Sequence, residues 1–242
     1  MTTTEQDTSQ LQLTVETAID LFYQRRIEKL NSLNLWHVLR RKNPYLFQVY
    51  GFDTAQDIVE SILSAFMSSS EETMFGQIFF EEVALIASGG HKSSADSIDV
   101  EVHDTHTIKL YAVKSGTSVF NAQSRQRQEQ AFQEAINRLR GKVKTVEPII
   151  GYAYGTKKSR DSAKARNYKE LAGKDFWYDL TGDPEFYLKL VDYIGTIPKK
   201  YALEYQKSYS AAVNRLSREL LDRFCNDEGL IYWKKLVEAV SG

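Results

Sequence analysis

Apolar residues first recur at helical spacing from Val15, through Ile19, Phe22, Ile27, Leu30, Leu33 and Leu35, until Asn43-Pro44 stops the pattern. That stretch predicts one long helix or two short ones. Residues 1 to about 10 offer nothing apolar to bury and are expected to be mobile. A second stripe, Ile58, Ile62, Leu63, Phe66 and Met67, follows Asp53 as a plausible N-cap and is expected to break at Ser68 to Ser70. A third helix is predicted from about Glu71 to Ala87, with Phe75, Ile78, Phe79, Val83 and Ile86 at core spacing. The period then changes. Ser97 to His103 and Thr107 to Val113 flank the polar turn Asp104-Thr105-His106 and read as a hairpin. Alternation puts Ile98, Val100 and Val102 on one face, and Asp99 and Glu101 on the other, near the strand end where Lys114 emerges.

Ser115 to Asn121 is a polar link to a helix capped by Asn121 or Ser118, whose core face is Phe132, Ile136 and Leu139. Thr145 to Tyr154 is apolar enough for a strand buried on both faces, and its place after a helix suggests a crossover back into the sheet. Gly155 to Lys174 reads as a basic loop around a short helix. Phe176-Trp177-Tyr178 comes next as a short buried strand or a helix start, and Thr181 to Glu185 begins another helix. Two terminal helices are marked by Tyr201 to Phe224 and by Ile231 to Val237. The order predicts an α/β fold with a central mixed β-sheet flanked by helices, and helical additions at both ends. We expect a single domain over 1–242, with a helical N-terminal region at 1–70, a core at 71–195 and C-terminal helices at 196–242.

Composition narrows the class. Hydrophobic residues at 42% and charged residues at 26% are those of an ordinary globular protein. A lone cysteine, Cys225, excludes an internal disulfide framework and a multi-cysteine zinc site. No apolar run nears the roughly 20 residues of a membrane span, and the polar start lacks a signal-peptide core, so a cytoplasmic location away from any membrane is expected. The net charge of −1 hides an asymmetry. Lys114 to Lys174 holds 14 basic against 5 acidic side chains, a net of +9 set against −10 elsewhere. Such a middle suits a folded surface that meets a polyanion, or else solvated helix faces.

Candidate chemistry gathers around the hairpin. Carboxylates and an ammonium beside a basic helix suit metal-assisted work on a phosphodiester, though the same charges also fit a solvated surface hairpin. Glu81 and Glu82 interrupt an apolar stripe, where a carboxylate is costly unless it reaches solvent, a partner or a metal. Arg and Gln side chains crowd the next helix, and both types can bind phosphates or read base edges. The basic runs Arg25-Arg26 and Arg40-Arg41-Lys42 fit solvated faces or DNA-backbone contacts. His103 and His106 read as exposed polar residues of the turn.

Asp99, then fourteen residues, then Lys114-Ser-Gly116 resembles the core of the PD-(D/E)XK nucleases. Gly76-Gln-Ile-Phe-Phe-Glu81, Ser97-Ile-Asp99, Ala112-Val-Lys114, Ile150-Gly-Tyr-Ala-Tyr-Gly155 and Phe176 to Asp183 stand in the order of PmeII-like type II restriction endonucleases, over roughly residues 75 to 195. The resemblance implies a restriction-endonuclease-like core and a Mg²⁺-dependent, sequence-specific endonuclease acting on double-stranded DNA. It also implies a homodimer and a cognate methyltransferase acting separately. Asp99, Lys114 and Glu81 would be catalytic, with Asp99 and Glu81 as metal ligands. Ser115, Asn121, Gln123, Arg125, Arg127, Lys157, Lys158 and Arg160 are candidate DNA contacts. The chain departs from the pattern at Ala112, where Glu or Asp is expected. Glu101 is the preferred replacement ligand and Glu129 the second candidate; a site with fewer acids and an inactive domain also remain. A structure-specific or repair nuclease and an inactive DNA-binding module are the alternative functions.

Overall fold

The computed structural model describes residues 5–139, 141, 145–157 and 167–242. Helix α1 (Glu5–Ser32) begins well before the apolar pattern does, because Leu11 and Val15 are buried and the polar turns ahead of them continue the same helix. Of the first ten residues, expected to be mobile, Glu5 to Gln10 belong to this helix and 1–4 lie outside the described residues. After α1 come α2 (Leu35–Leu39) and α3 (Pro44–Val49). Asn43-Pro44 starts α3 as well as ending the earlier pattern: the Asn43 side chain accepts the Tyr45 N–H, and Pro44 occupies a first-turn position that needs no donor.

Helix α4 (Ala55–Phe75) is capped by Thr54, one residue after the expected Asp53. Thr54 Oγ1 donates to Asp57 Oδ2 at 2.7 Å, and the Asp57 N–H donates back to Thr54 Oγ1 at 3.3 Å, a reciprocal cap. The expected break at Ser68 to Ser70 does not occur. Serine costs a helix only a few tenths of a kcal/mol, and Met67 and Met74 are buried on either side. The real interruption is a π-turn at Gly76–Phe80, succeeded directly by α5 (Glu81–Ser88).

By internal packing the chain divides into two units, Met1–Phe22 with Thr73–Pro198, and Tyr23–Glu72 with Lys199–Gly242. The first holds the sheet. Its strands are β1 (His91–Lys92), β2 (Val100–His103), β3 (Thr107–Lys114), β4 (Thr145–Tyr152) and β5 (Lys169–Ala172), in the order β1-β2-β3-β4-β5. β1, β2 and β3 pair antiparallel; β3, β4 and β5 pair parallel, so the sheet is mixed as expected. Helix α6 (Ala122–Leu139) joins β3 to β4 and packs Phe132, Ala135 and Leu139 on Ile108, Leu110, Ala112 and Ile150. On the other face α5 lies against β2 and β3, beside α7 (Lys174–Thr181) and α8 (Phe186–Ile194).

β1 and β5 were not expected as strands. The first is two residues long, and the second, Lys-Glu-Leu-Ala, lacks the apolar signature of β4. Phe176 and Trp177 fall inside α7, so the helix-start reading holds and the strand reading does not. Phe176 is fully buried over Gly151 of β4, where a Cβ would lie 2.1 Å from the ring. Two motifs read separately are thus one contact between strand and helix. Trp177 Nε1 donates to the Ala153 carbonyl at 2.9 Å and fixes the same junction.

The second unit is helical, with α9 (Ala202–Phe224) and α10 (Trp233–Ser241) closing on the α2–α4 region through a core that includes Leu39, Ile58, Leu63, Leu216 and Leu236. Two of its arginines are tied to the unit itself. Arg215 donates to the carbonyls of Leu30 and Leu33 at the end of α1, and Arg26 pairs with Glu71 at 2.7 Å while lying 3.5 Å over the Tyr205 ring. No helix among the described residues is long and apolar enough to cross a membrane.

Replacing Gly151 by alanine overpacks the Phe176 contact, and we expect a loss of about 1–3 kcal/mol in unfolding free energy. The denaturant midpoint of Gly151→Ala against the parent checks this, and an unchanged midpoint would refute the contact.

Candidate active site

The C-terminal end of β3 carries the site. The Val113 N–H donates to Asp99 Oδ2 at 2.6 Å, and Lys114 Nζ donates to the same oxygen at 3.4 Å and to the Val113 carbonyl at 2.9 Å. The Ala153 N–H donates to the Lys114 carbonyl at 2.8 Å, tying this strand end to the residue after β4. Asp99 reaches the position because the chain before β2 is not regular strand. Ser97 has φ +61°, the one positive value at a non-glycine among the described residues. Such a conformation costs about 1–3 kcal/mol and persists only where neighbours hold it.

This turn breaks the expected alternation. Ile98 packs on the α6 face with Ile108, Leu110 and Ala112, whereas Val100 stands opposite Tyr111 on the other face. Asp99 and Glu101 consequently part company. Glu101 pairs in register with Leu110, and its carboxylate is taken by Ser93 Oγ at 2.6 Å, His103 Nε2 at 3.3 Å and Arg138 at 3.5 Å. The structure brings Asp99 to Lys114 and engages Glu101 elsewhere. Glu129 accepts from the Tyr168 hydroxyl at 2.9 Å and likewise has its own partner. Ala112 is fully buried in the apolar cluster under α6.

Glu81 is the first residue of α5. A π-turn adds a residue to the helical turn, so α5 is rotated relative to the continuation of an unbroken α-helix. Here Glu81 comes within electrostatic reach of Asp99 and Lys114 while Glu82 stays on the more solvated side. Gly76, which opens the π-turn, lets the helix meet the strand end: a Cβ there would lie 2.3 Å from Ser115 Oγ. Burial, and then the negative charge of Asp99, push the Glu81 carboxyl up to about 7, with Lys114 and Lys92 opposing.

A half-buried carboxyl whose proton affinity is raised by burial and by a second carboxylate nearby suits a hard divalent cation bound by one or two acids and water. Asp99 and Glu81 could hold it. Among the described residues no group of three or more His, Cys, Asp and Glu side chains is placed to do so.

The candidate DNA contacts divide. Ser115 is buried. Asn121 caps α6, its Oδ1 accepting the Ser124 N–H at 2.8 Å. Gln123 and Arg127 are exposed on the first turns of that helix. Arg125 and Lys157 both pair with Glu170 of β5, at 3.0 Å and 3.4 Å, and the Tyr152 hydroxyl donates to the same carboxylate at 2.6 Å. Although burial alone would raise it, bonds from Tyr152 and Arg125 hold the Glu170 carboxyl down at about 2. Lys158 and Arg160 lie outside the described residues. Glu170 gave no sequence signal, because its importance comes from parallel pairing of β5 with β4. Gln128 also went unrecognised: amid exposed glutamines it is turned inward and donates to the Ser97 carbonyl at 2.8 Å.

A family model described as type II restriction endonuclease EcoO109I matches residues 9–202. No curated protein matches the chain. The matched family lies in the PD-(D/E)XK superfamily, in agreement with the resemblance of the motifs, and its fold agrees with the mixed sheet and flanking helices.

Because the folded state holds the Glu81 proton more tightly than an ordinary carboxyl of 4.5, it binds more protons than the unfolded chain between that value and about 7. Stability of the metal-free protein should therefore fall as pH rises through this window. Denaturant midpoints across the window should show that slope in the parent and a flatter one in Glu81→Gln; identical slopes would contradict the burial of Glu81 beside Asp99.

Proposed function

The chain belongs to the type II restriction endonuclease EcoO109I family, and from that premise we propose that it is a Mg²⁺-dependent endonuclease cutting double-stranded DNA at a specific sequence by phosphodiester hydrolysis. The observation that carries the proposal is the meeting of Asp99, Lys114 and Glu81 at the end of β3. The order of motifs from Gly76 to Asp183 further supports a PmeII-like member.

Asp99 and Glu81 would be the metal ligands. A Mg²⁺ held there would supply charge to offset the developing oxyanion and would make the attacking water more acidic. Lys114 would orient the attacking water and pair with the scissile phosphate, its ammonium already steered by Asp99 and the Val113 carbonyl. Asp99 would then serve twice, as a ligand and as the group that aims Lys114. Arg125 and Lys157, fixed by Glu170, would meet backbone phosphates, with Gln123, Arg127 and Asn121 nearby on the start of α6. Ser115 would act from within, through its place against Gly76. Cutting both strands of a palindromic site calls for two such centres related by a two-fold axis, hence a homodimer. A separate methyltransferase would protect the same sequence.

One observation favours a second reading, a DNA-binding module that does not cut. Ala112 puts a methyl group where the family pattern has a carboxylate, and neither Glu101 nor Glu129 takes its place. With Mg²⁺ and plasmid DNA, discrete fragments support the nuclease, a preference for junctions or flaps supports a repair enzyme, and binding without cleavage supports the module. Lys114→Ala should lower the cleavage rate by at least about 100-fold, with DNA affinity in the absence of metal changed by less than about tenfold. Cleavage at the parent rate would remove Lys114 from the mechanism.

A further inference from the structure

Helix α6 shows glutamines 123, 126, 130 and 133 largely to solvent, yet Gln128 is only 3% exposed. A leucine at that position would pack with Phe132 and Ala135 without a polar group to satisfy. What the glutamine adds is a bond: Nε2 donates to the Ser97 carbonyl at 2.8 Å. That acceptor belongs to the residue with the left-handed backbone, two positions before Asp99. The three facts are independent of one another. One is burial, one is a hydrogen bond across 31 residues, and one is a backbone angle.

We propose that Gln128 is a positioning residue for Asp99: by holding the Ser97 carbonyl it keeps Ser97 left-handed, and so aims the Asp99 carboxylate at the Val113 amide and the Lys114 ammonium. A regular strand through residues 97–103 would preserve alternation and set Asp99 and Glu101 alike. The turn at Ser97 resets the phase, with Ile98 on the α6 face and Val100 opposite Tyr111. Two backbone bonds complete the turn, Ile98 N–H to the Ala95 carbonyl at 3.3 Å and Asp99 N–H to the Tyr111 carbonyl at 2.8 Å. Neither of them holds the Ser97 carbonyl, which would otherwise be turned toward a helix with no donor. Gln128 acts through Ser97 on Asp99 and touches neither substrate nor cation. The inference rests on the reading of Asp99 as a metal ligand, and it withdraws Gln128 from the base-reading glutamines of this helix.

The test pairs a spectroscopic readout with a kinetic one. In Gln128→Leu the Val113 amide proton, now bonded to a carboxylate at 2.6 Å, should move upfield and lose protection from exchange by about tenfold or more, while amides of Leu110 and Ile150 keep theirs. Single-turnover cleavage at saturating DNA should fall by about 10–100-fold, and the Mg²⁺ concentration for half-maximal rate should rise. DNA affinity without metal should stay within about threefold of the parent, since no phosphate contact is lost. Ser97→Val, at an exposed position where a branched residue resists the left-handed region, should give the same Val113 signature without disturbing the α6 core. Ser97→Gly in the Gln128→Leu background should restore most of the Val113 shift and rate, since glycine adopts that backbone at no steric cost.

An unmoved Val113 amide in both Gln128→Leu and Ser97→Val would overturn the proposal. So would an equal loss of protection throughout the sheet, or a loss of function confined to DNA affinity. Asp99→Asn separates the two levels. If it cleaves like the parent, the reading of Asp99 fails; if it is inactive while both positioning variants behave as the parent, only this inference fails.

Discussion

Asp99 Oδ2 takes two donors at once, an amide at 2.6 Å and an ammonium at 3.4 Å, with both side chains of the ion pair less than a quarter exposed. Hydrogen bonds to a charged partner contribute about 1.5–3 kcal/mol net, and more is at stake if one partner is removed and the other left desolvated. The contact therefore joins the entry to β2 with the exit from β3, although the two belong to different strands of the hairpin. Other features are arranged so that it can form. β3 runs its full length beside β4, Ala153 holds the Lys114 carbonyl, and Gly76 lets the π-turn close on Ser115.

Charge at this corner is finely divided. Asp99 and Lys114 nearly neutralise each other, and burial with the Asp99 charge pushes the Glu81 carboxyl up to about 7, so that it carries its charge only in part near neutral pH. A third carboxylate would add repulsion that only a bound cation could offset. Ala112 lowers that burden and puts an apolar side chain into the cluster of Leu110, Ile150 and Phe132. If Asp99 and Glu81 hold a divalent ion as proposed, one anionic oxygen ligand fewer would weaken its binding but would leave the occupied site more positive toward an incoming phosphate. On the proposed reading, weaker metal binding in the free protein and stronger dependence on the DNA phosphate would be two sides of the same omission.

Period was the reliable signal. The hairpin from Val100 to Lys114 and the long C-terminal helix α9 were legible because each has an apolar face that only one geometry can bury, and the strand after α6 because it is a short apolar run buried on both faces. The faces of the hairpin were harder. A single left-handed residue at Ser97 reverses alternation, and no property of serine announces it; the donor that holds it is 31 residues away. The π-turn was hidden for a similar reason, since Gly76 to Phe80 has the composition of an ordinary helix and only the approach to Ser115 sets its path. Glu101 looked equivalent to Asp99 for want of those two facts. β5 was missed because its one telling residue, Glu170, is polar where a strand signal needs apolar neighbours.

Net charge and the placement of charge are separate quantities in the middle of the chain. Arg125 and Lys157 are bound to Glu170, Lys169 to Glu147, and Arg138 to Glu101, so inspection of individual pairs suggests that the cations are spent. Yet three of these four pairs draw on acids already counted within Lys114 to Lys174, and only the pair of Arg138 with Glu101 takes a charge from the surplus of +9 over that segment. At physiological salt the field of such a surplus reaches about 8 Å, enough to draw in a polyanion without choosing its position. The pairs do the choosing. A cation paired with a carboxylate stands in one place with less rotamer freedom to lose, and a phosphate that reached it would meet an ordered donor. On the proposed function, attraction would follow from the excess of lysine and arginine, whereas alignment of the backbone with Asp99 and Lys114 would follow from the few acids that fix them.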